Sequence, residues 1–338
     1  MDKFILSVLN KKDKLKMTTL YQVLIGRRTS SIICYAFFYD LLPYFGSFPK
    51  LRDETWQKEC QQLENKRKLT IDSQGYISVV ASAIKQEDYY AFLPANVNFY
   101  RFGKLDGVGW RLVQFLIQRL TSVPTDENQW LENGSFYIHE VEKLIATSES
   151  IDVKDELFKE LYAAFQSFPR SEANLLARTI TGNMHIGETF YQVLNQDASE
   201  VEQKLIQANA THLFYQYFLK KNDLLFYQLL KDWYRMGLNQ SLLVTRAYFL
   251  KGASLAEIAA KRNLKESTIR DHVIEWAVND PNFPFDYFDF SLLKEQMDAS
   301  PLPVWQQTYN EVNQRKAIDF LLFRLYQIQR KREHGITA

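Results

Sequence analysis

Apolar residues along most of the chain recur at three- and four-residue spacing, which predicts α-helix. In "WRLVQFLIQRLTS", Leu112, Phe115, Leu116 and Leu120 fall on one face, and "VKDELFKELYAAF" repeats the arrangement with Leu157, Leu161 and Phe165. "SEANLLARTITG" predicts a helix capped by Ser171 and stopped by Gly182. Two long helices are predicted between Glu200 and Met236, split near Asn222 and closed by Gly237. After Pro301 and Pro303, "VWQQTYNEVNQRKAIDFLLFRLYQIQRKRE" predicts one long terminal helix. The pattern changes in "KLTIDSQGYISVV", where two β-rich runs flank Asp72-Ser73-Gln74-Gly75, a hairpin signal. A helix predicted over Thr55 to Lys68 precedes it, and helix then hairpin is the order of a winged helix. The expected fold class is therefore mainly α and multi-domain. A winged-helix-like domain is expected over 1–100, a central helical domain over 101–238, and a C-terminal helix-turn-helix domain with terminal helices over 239–338.

The C-terminal expectation rests on "SLAEIAAKRNLKESTIRDHVIEWA", from Ser254 to Ala277. Three helices are predicted, at about 242–251, 255–262 and 266–278, with Gly252 ending the first. Ser254 and Glu257 form a capping-box pattern that opens the second. Leu255, Ile258 and Ala259 face inward, Leu264 plugs the turn, and Ile269, Val273 and Trp276 continue the core. The outer face then holds Glu266, Ser267, Arg270, Asp271 and Ile274, directed to where DNA lies against such a unit. Lys261, Arg262 and Lys265 surround the turn and suit phosphates, and Thr268 either bonds a phosphate or is half-buried. The candidate nucleic-acid contacts are Lys261, Arg262, Lys265, Ser267, Thr268, Arg270 and Ile274. Between Glu257 and Glu275, however, four bases meet four acids. A neutral unit binds phosphates weakly by itself. It either docks protein or makes a weak DNA contact that a tethered partner renders useful.

Charge along the whole chain narrows the choice. With 41 Lys and Arg against 40 Asp and Glu, the net charge of +1 excludes a dedicated non-specific DNA coater. The charge is segregated, though. Residues 1–28 hold seven bases (Lys3, Lys11, Lys12, Lys14, Lys16, Arg27, Arg28) and two acids, and residues 121–160 hold ten acids and three bases. "QRKRE" at 329–333 is basic again, so phosphate contacts are expected from the N-terminal segment and this tail. Cys34 and Cys60 sit in no CxxC pair, which argues against zinc and against a disulfide framework. No apolar run is long enough to span a membrane, and the N-terminus reverses the charge order of a secretion signal, so a cytoplasmic protein is expected. The aromatic-rich "NDPNFPFDYFDF" at 279–290 is expected to pack rather than float.

No catalytic constellation emerges. There is no GxxxxGK[ST] loop, and the five histidines show no metal-ligand spacing. "GKLDGVGW" at 103–110 opens a helix at Trp110 and reads as a turn needing positive φ rather than an anion site. Asp126/Glu127 and Asp155/Glu156 read as solvated faces. No catalytic residue, metal, cofactor or small-molecule substrate is expected.

Two stretches resemble a known family. "GASLAEIAAKRNLKESTIRDHV" is similar to the helicase-associated helix-turn-helix domain found at the C-terminus of some RecQ-type helicases. It matches that pattern at Gly252, Ser254, Glu257, Ile258, Ala259, Leu264, Ser267, Thr268, Ile269 and His272. "TLYQVLIGRRTSSIICYAFFYDLLPYFGSFPKL" at 19–51 resembles the start of YpbB-type proteins, stand-alone relatives of that domain. The resemblance implies a non-catalytic DNA-binding accessory protein whose partners are DNA and a RecQ-type helicase, acting in replication or repair. The alternatives are a sequence-specific transcription regulator and a protein–protein adaptor.

Overall fold

The computed structural model describes residues 1–10, 14–80, 92–121, 134–148, 152–182 and 185–337. Lys11, Lys12, Asp126 and Glu127, singled out above, lie outside the described residues. Among the described residues the chain is mainly α, with eighteen α-helices and three short strands. The N-terminal elements are α1 (Asp2–Asn10), β1 (Leu15–Lys16), α2 (Met17–Leu24), α3 (Ser30–Phe38), α4 (Asp53–Asn65), β2 (Leu69–Ile71) and β3 (Tyr76–Val79). A run of helices follows: α5 (Phe99–Phe102), α6 (Gly109–Thr121), α7 (Ser135–Thr147), α8 (Val153–Ser167), α9 (Arg170–Arg178), α10 (Phe190–Val193), α11 (Glu200–Phe218) and α12 (Leu225–Gly237). The last six are α13 (Gln240–Leu250), α14 (Leu255–Arg262), α15 (Glu266–Asn279), α16 (Ser291–Met297), α17 (Tyr309–Arg315) and α18 (Phe320–Thr337).

The chain divides into two compact units, each built from two stretches: 1–17 with 50–238, and 18–49 with 239–338. One division between them falls after Leu238. Residues 18–49 group with the C-terminal stretch. The reason lies in α3. Its sequence SSIICYAFF is apolar on nearly every side, so it needs cover on more than one face, and it packs against both α15 and α18.

In the first unit, β2 and β3 form the expected hairpin, with Leu69 opposite Val79 and Ile71 opposite Ile77. Asp72 Oδ1 accepts from the amides of Gln74 and Tyr76, each at 2.9 Å, and Gly75 supplies the φ of +78° that the turn requires. Strand β1 adds to the other edge of β3, giving the antiparallel order β1-β3-β2. Leu15, Leu69 and Ile77 are buried, as are Ile5 and Leu9 of α1 and Trp56, Cys60 and Leu63 of α4.

The rest of this unit is a helical bundle with an aromatic centre. Phe214, Phe218 and Phe226 have ring centroids 4.5–5.2 Å apart, and Trp110 meets Phe214 edge-on at 5.2 Å. Glu160 is buried within the bundle and accepts from the amides of Leu225 (2.6 Å) and Phe226 (3.2 Å). It thereby caps α12, whose own N-cap residue, Leu224, has no side-chain acceptor. None of the glycines in 103–110 has positive φ. Gly109 is instead required by close approach, since a Cβ there would stand 2.8 Å from both Leu105 Cγ and the Tyr215 hydroxyl. Helix α9 also starts differently from the reading, at Arg170 after Pro169, with Ser171 inside its first turn.

The second unit contains α13–α15 and the terminal segments. The single long terminal helix expected after Pro303 is broken. A 3₁₀ turn at Val304–Gln306, α17 and α18 replace it. The break between α17 and α18 has two polar causes. Asn313 Oδ1 takes the Ile318 amide at 3.0 Å, and Asp319 Oδ1 takes those of Leu321 (2.7 Å) and Leu322 (3.1 Å), starting a new helix. The 279–290 stretch packs as expected, with Phe283 centred 4.6 Å from Trp276 and stacked on Phe288 at 5.8 Å. No described helix is long and apolar enough to cross a membrane.

Candidate nucleic-acid interface

Helices α13, α14 and α15 form the three-helix unit that the sequence spacing implies. Ser254 Oγ accepts from the Glu257 amide while Glu257 Oε2 accepts from the Ser254 amide at 2.8 Å, completing the capping box. These bonds hold the Glu257 carboxyl below its ordinary range. Asn263 takes the left-handed conformation at φ +50° and turns the chain into α15. Ile258, Ala259 and Ile269 are buried against each other, with Phe249, Leu255 and Leu264 around them.

What differs from expectation is how little of α15 remains open. Helix α3 and α18 pack against it, and from His272 to Val278 every residue is buried. Ile274, expected on the outer face, is 1% exposed. Sequence periodicity assigns it to the side opposite the α14 contact, and that side is covered by other helices. Glu275 is likewise buried. Its Oε1 receives Arg28 Nη2 at 2.6 Å and Nε at 2.9 Å, and its Oε2 receives Asn239 Nδ2 at 2.9 Å. Part of the acidity of this helix therefore serves a salt bridge inside the unit.

Other expected contacts are committed elsewhere. Arg262 is engaged within the unit. Its guanidinium donates to the Ser241 carbonyl at 2.8 Å, to Ser241 Oγ at 2.7 Å and to Thr245 Oγ1, fastening α14 to α13. Arg270 lies between Asp319 (2.6 Å) and Glu266 (3.0 Å). Burial pushes the Asp319 carboxyl up, but the hydrogen bonds from Arg270 and from the amides of Leu322 and Leu321 leave it below its ordinary range. The basic tail is engaged as well: Arg330 bonds Glu333 at 2.6 Å, Lys331 bonds Asp40 at 3.2 Å, and Arg332 donates to the Ala277 carbonyl.

Three expected contacts stay exposed: Lys261, Lys265 and Ser267, with Thr268 half-buried beside them. Lys265 is the N-cap residue of α15, and Lys261 lies on the last turn of α14. The open surface is thus the turn and the first turn of α15, carrying two lysines beside Glu266 and Asp271. Among the described residues no group of three or more His, Cys, Asp or Glu side chains is placed to hold a metal.

A buried hydrogen-bond chain ties this surface to pH. Arg262 donates to the Thr245 hydroxyl, and Thr245 Oγ1 lies 2.8 Å from His272 Nδ1. The Thr245 hydroxyl thus links the Arg262 guanidinium to the His272 imidazole. Burial and the nearby Arg262 charge lower the His272 pKa from 6.5, against the opposing effect of Glu275 and Asp271. A histidine depressed in the folded state is protonated first in the unfolded chain. The stability it confers is present above 6.5 and declines as pH falls below that value. Melting temperature should therefore drop between neutral and mildly acidic pH. His272→Gln should flatten that slope at a cost of about 1 kcal/mol at neutral pH, the worth of one hydrogen bond. An unchanged slope in the variant would exclude His272 as its origin.

Comparison with known proteins agrees with this geometry. The helix-turn-helix domain family matches residues 241–318. Over 310 residues the chain is 22% identical to Protein YpbB of Bacillus subtilis (strain 168), spanning 88% of this chain and 86% of that one. No solved structure matches.

Proposed function

We propose that this protein is a non-catalytic DNA-binding accessory protein that works with a RecQ-type DNA helicase in replication or repair. The observation that carries DNA binding is the helix-turn-helix unit with Lys261 and Lys265 exposed about its turn, neither ion-paired among the described residues. The helicase association rests on the resemblance of residues 252–272 to the helicase-associated pattern and on the similarity to Protein YpbB. We read the α1, β1, α4, β2, β3 assembly as winged-helix-like, supported by its β1-β3-β2 order. With one turn of α15 open and Arg270 held by two carboxylates, backbone contact is favoured over base reading. A low intrinsic affinity raised by a tethered helicase fits the neutral charge of the unit.

The test is fluorescence anisotropy with duplex DNA across a salt series. Lys261→Glu with Lys265→Glu should weaken binding to every sequence alike, by about tenfold or more, and lower the salt slope by about two. The purified protein should hydrolyse no ATP, and a RecQ-type helicase should retain it in a pull-down. A second reading, a protein-docking module, is favoured by the burial of Ile274 and Glu275. Retained DNA affinity in the double variant, together with lost helicase retention, would select that reading.

A further inference from the structure

In the second unit, the short loop between α17 and α18 is held in one shape by side chains. Asn313 Oδ1 takes the Ile318 amide at 3.0 Å, and Tyr309 Oη donates to the Ile318 carbonyl at 3.0 Å. The Tyr309 ring is itself packed, centred 5.1 Å from Phe320 and 5.5 Å from Phe323. Asp319 then starts α18 with Oδ1 and places the loop with Oδ2, which receives Arg270 Nη1 at 2.6 Å. Arg270 Nε donates to Glu266 at 3.0 Å, so the loop lies against the first turns of α15. Lys316 is three residues from Asp319, at most about 10 Å of chain. The open turn of α15 is therefore bordered by Lys261 and Lys265 at its N-terminal end and by this loop on its flank.

The charges of this segment are unevenly engaged. Its two acids have partners: Glu311 Oε2 accepts from the Thr308 amide at 3.2 Å in a capping box, and Asp319 holds Arg270. Its two bases form no ion pair among the described residues. Arg315 donates to the Gln296 carbonyl at 3.2 Å, a neutral acceptor, and Lys316 is exposed without a hydrogen bond. Arg270 between two carboxylates leaves the seam of loop and helix net negative, which keeps a phosphate out of the seam and favours the loop's own bases. The exposed positions Gln314, Arg315, Lys316 and Ala317 carry no large apolar side chain to anchor a protein partner. A fixed, cationic, polar edge beside a helix-turn-helix suits a DNA backbone.

We propose that the α17–α18 loop is a second phosphate-contacting element, in which Arg315 and Lys316 bind the backbone of duplex DNA lying against the first turn of α15. The proposal rests on the DNA-binding reading above and adds a surface separate from Lys261 and Lys265. It supplies cations that the charge-neutral stretch from Glu257 to Glu275 lacks.

The experiment measures anisotropy of the full chain with a labelled duplex across a salt series. Arg315→Gln with Lys316→Gln should weaken binding about tenfold or more and lower the salt slope by about two. Both side chains are exposed, so the melting temperature should hardly move. Position is read separately by crosslinking. Cys34 and Cys60 are buried, at 1% and 0% exposure, so the thiol introduced by Lys316→Cys is the one that a photocrosslinking reagent labels. Irradiation should then join the labelled protein to the duplex. If the wild-type protein binds duplex, an unchanged slope or an absent crosslink overturns the proposal and leaves the reading on Lys261 and Lys265 standing. If the wild-type protein binds no duplex, the DNA reading fails and the proposal falls with it.

Discussion

Ile269→Ala should destabilise the helix-turn-helix unit by about 2–5 kcal/mol. Ile269 is fully buried at the contact of α14 and α15, against Ile258 and Ala259. Ala259 is small, which lets the two helices cross closely, so little surrounding mass can relax into the space that a truncated Ile269 leaves. The loss then combines the removed methyl groups with a residual cavity. Urea unfolding reads the effect directly, as a lower midpoint with an unchanged slope. A change below about 1 kcal/mol would mean that the unit derives its stability elsewhere, since even Ile→Val in a core costs that order.

Arg28→Ala should cost about 3 kcal/mol, toward the low end for breaking a buried ion pair. The figure is kept low because the Arg28 side chain is 33% exposed and its charge is partly screened. Its partner is not: the Glu275 side chain is 7% exposed and would keep its charge in the interior without the guanidinium. Adding Glu275→Gln to Arg28→Ala should recover much of the loss, because a neutral amide is far cheaper to bury than a carboxylate. Should the double variant prove no more stable than Arg28→Ala, stranded charge is not the cause. Arg270→Ala, by contrast, should cost no more than about 1 kcal/mol, because Arg270, Glu266 and Asp319 are all at least one-third exposed.

The contrast between these residues shows what the sequence carries. Ile269, Ile258, the Ser254–Glu257 cap and the Asp72–Gly75 turn are local features, set by neighbours within a few positions, and all were legible. Ile274 and Glu275 were not. Helical spacing marks one face of α15 as core, but α3 and α18 cover further faces, and no local pattern announces a helix that is buried on several sides. Arg28 and Glu275 are 247 positions apart, so their pairing leaves no spacing signature. The break in the terminal helix escaped for another reason. It contains neither proline nor glycine, and it depends on Asn313 and Asp319 turning their side chains onto backbone amides.

The discontinuous make-up of the second unit sets the order of events during synthesis. Helix α3 is made early, yet the helices that cover it, α15 and α18, come after the whole of 50–238. At about 5–20 residues per second, that interval lasts on the order of 10–40 s. For that time the ribosome carries a chain whose SSIICYAFF segment lacks the two helices that cover it, which leaves its apolar faces to a chaperone or to transient contacts. The same separation means that 239–338, expressed alone, would lack the cover that α3 gives α15 and should be insoluble unless 18–49 is supplied with it.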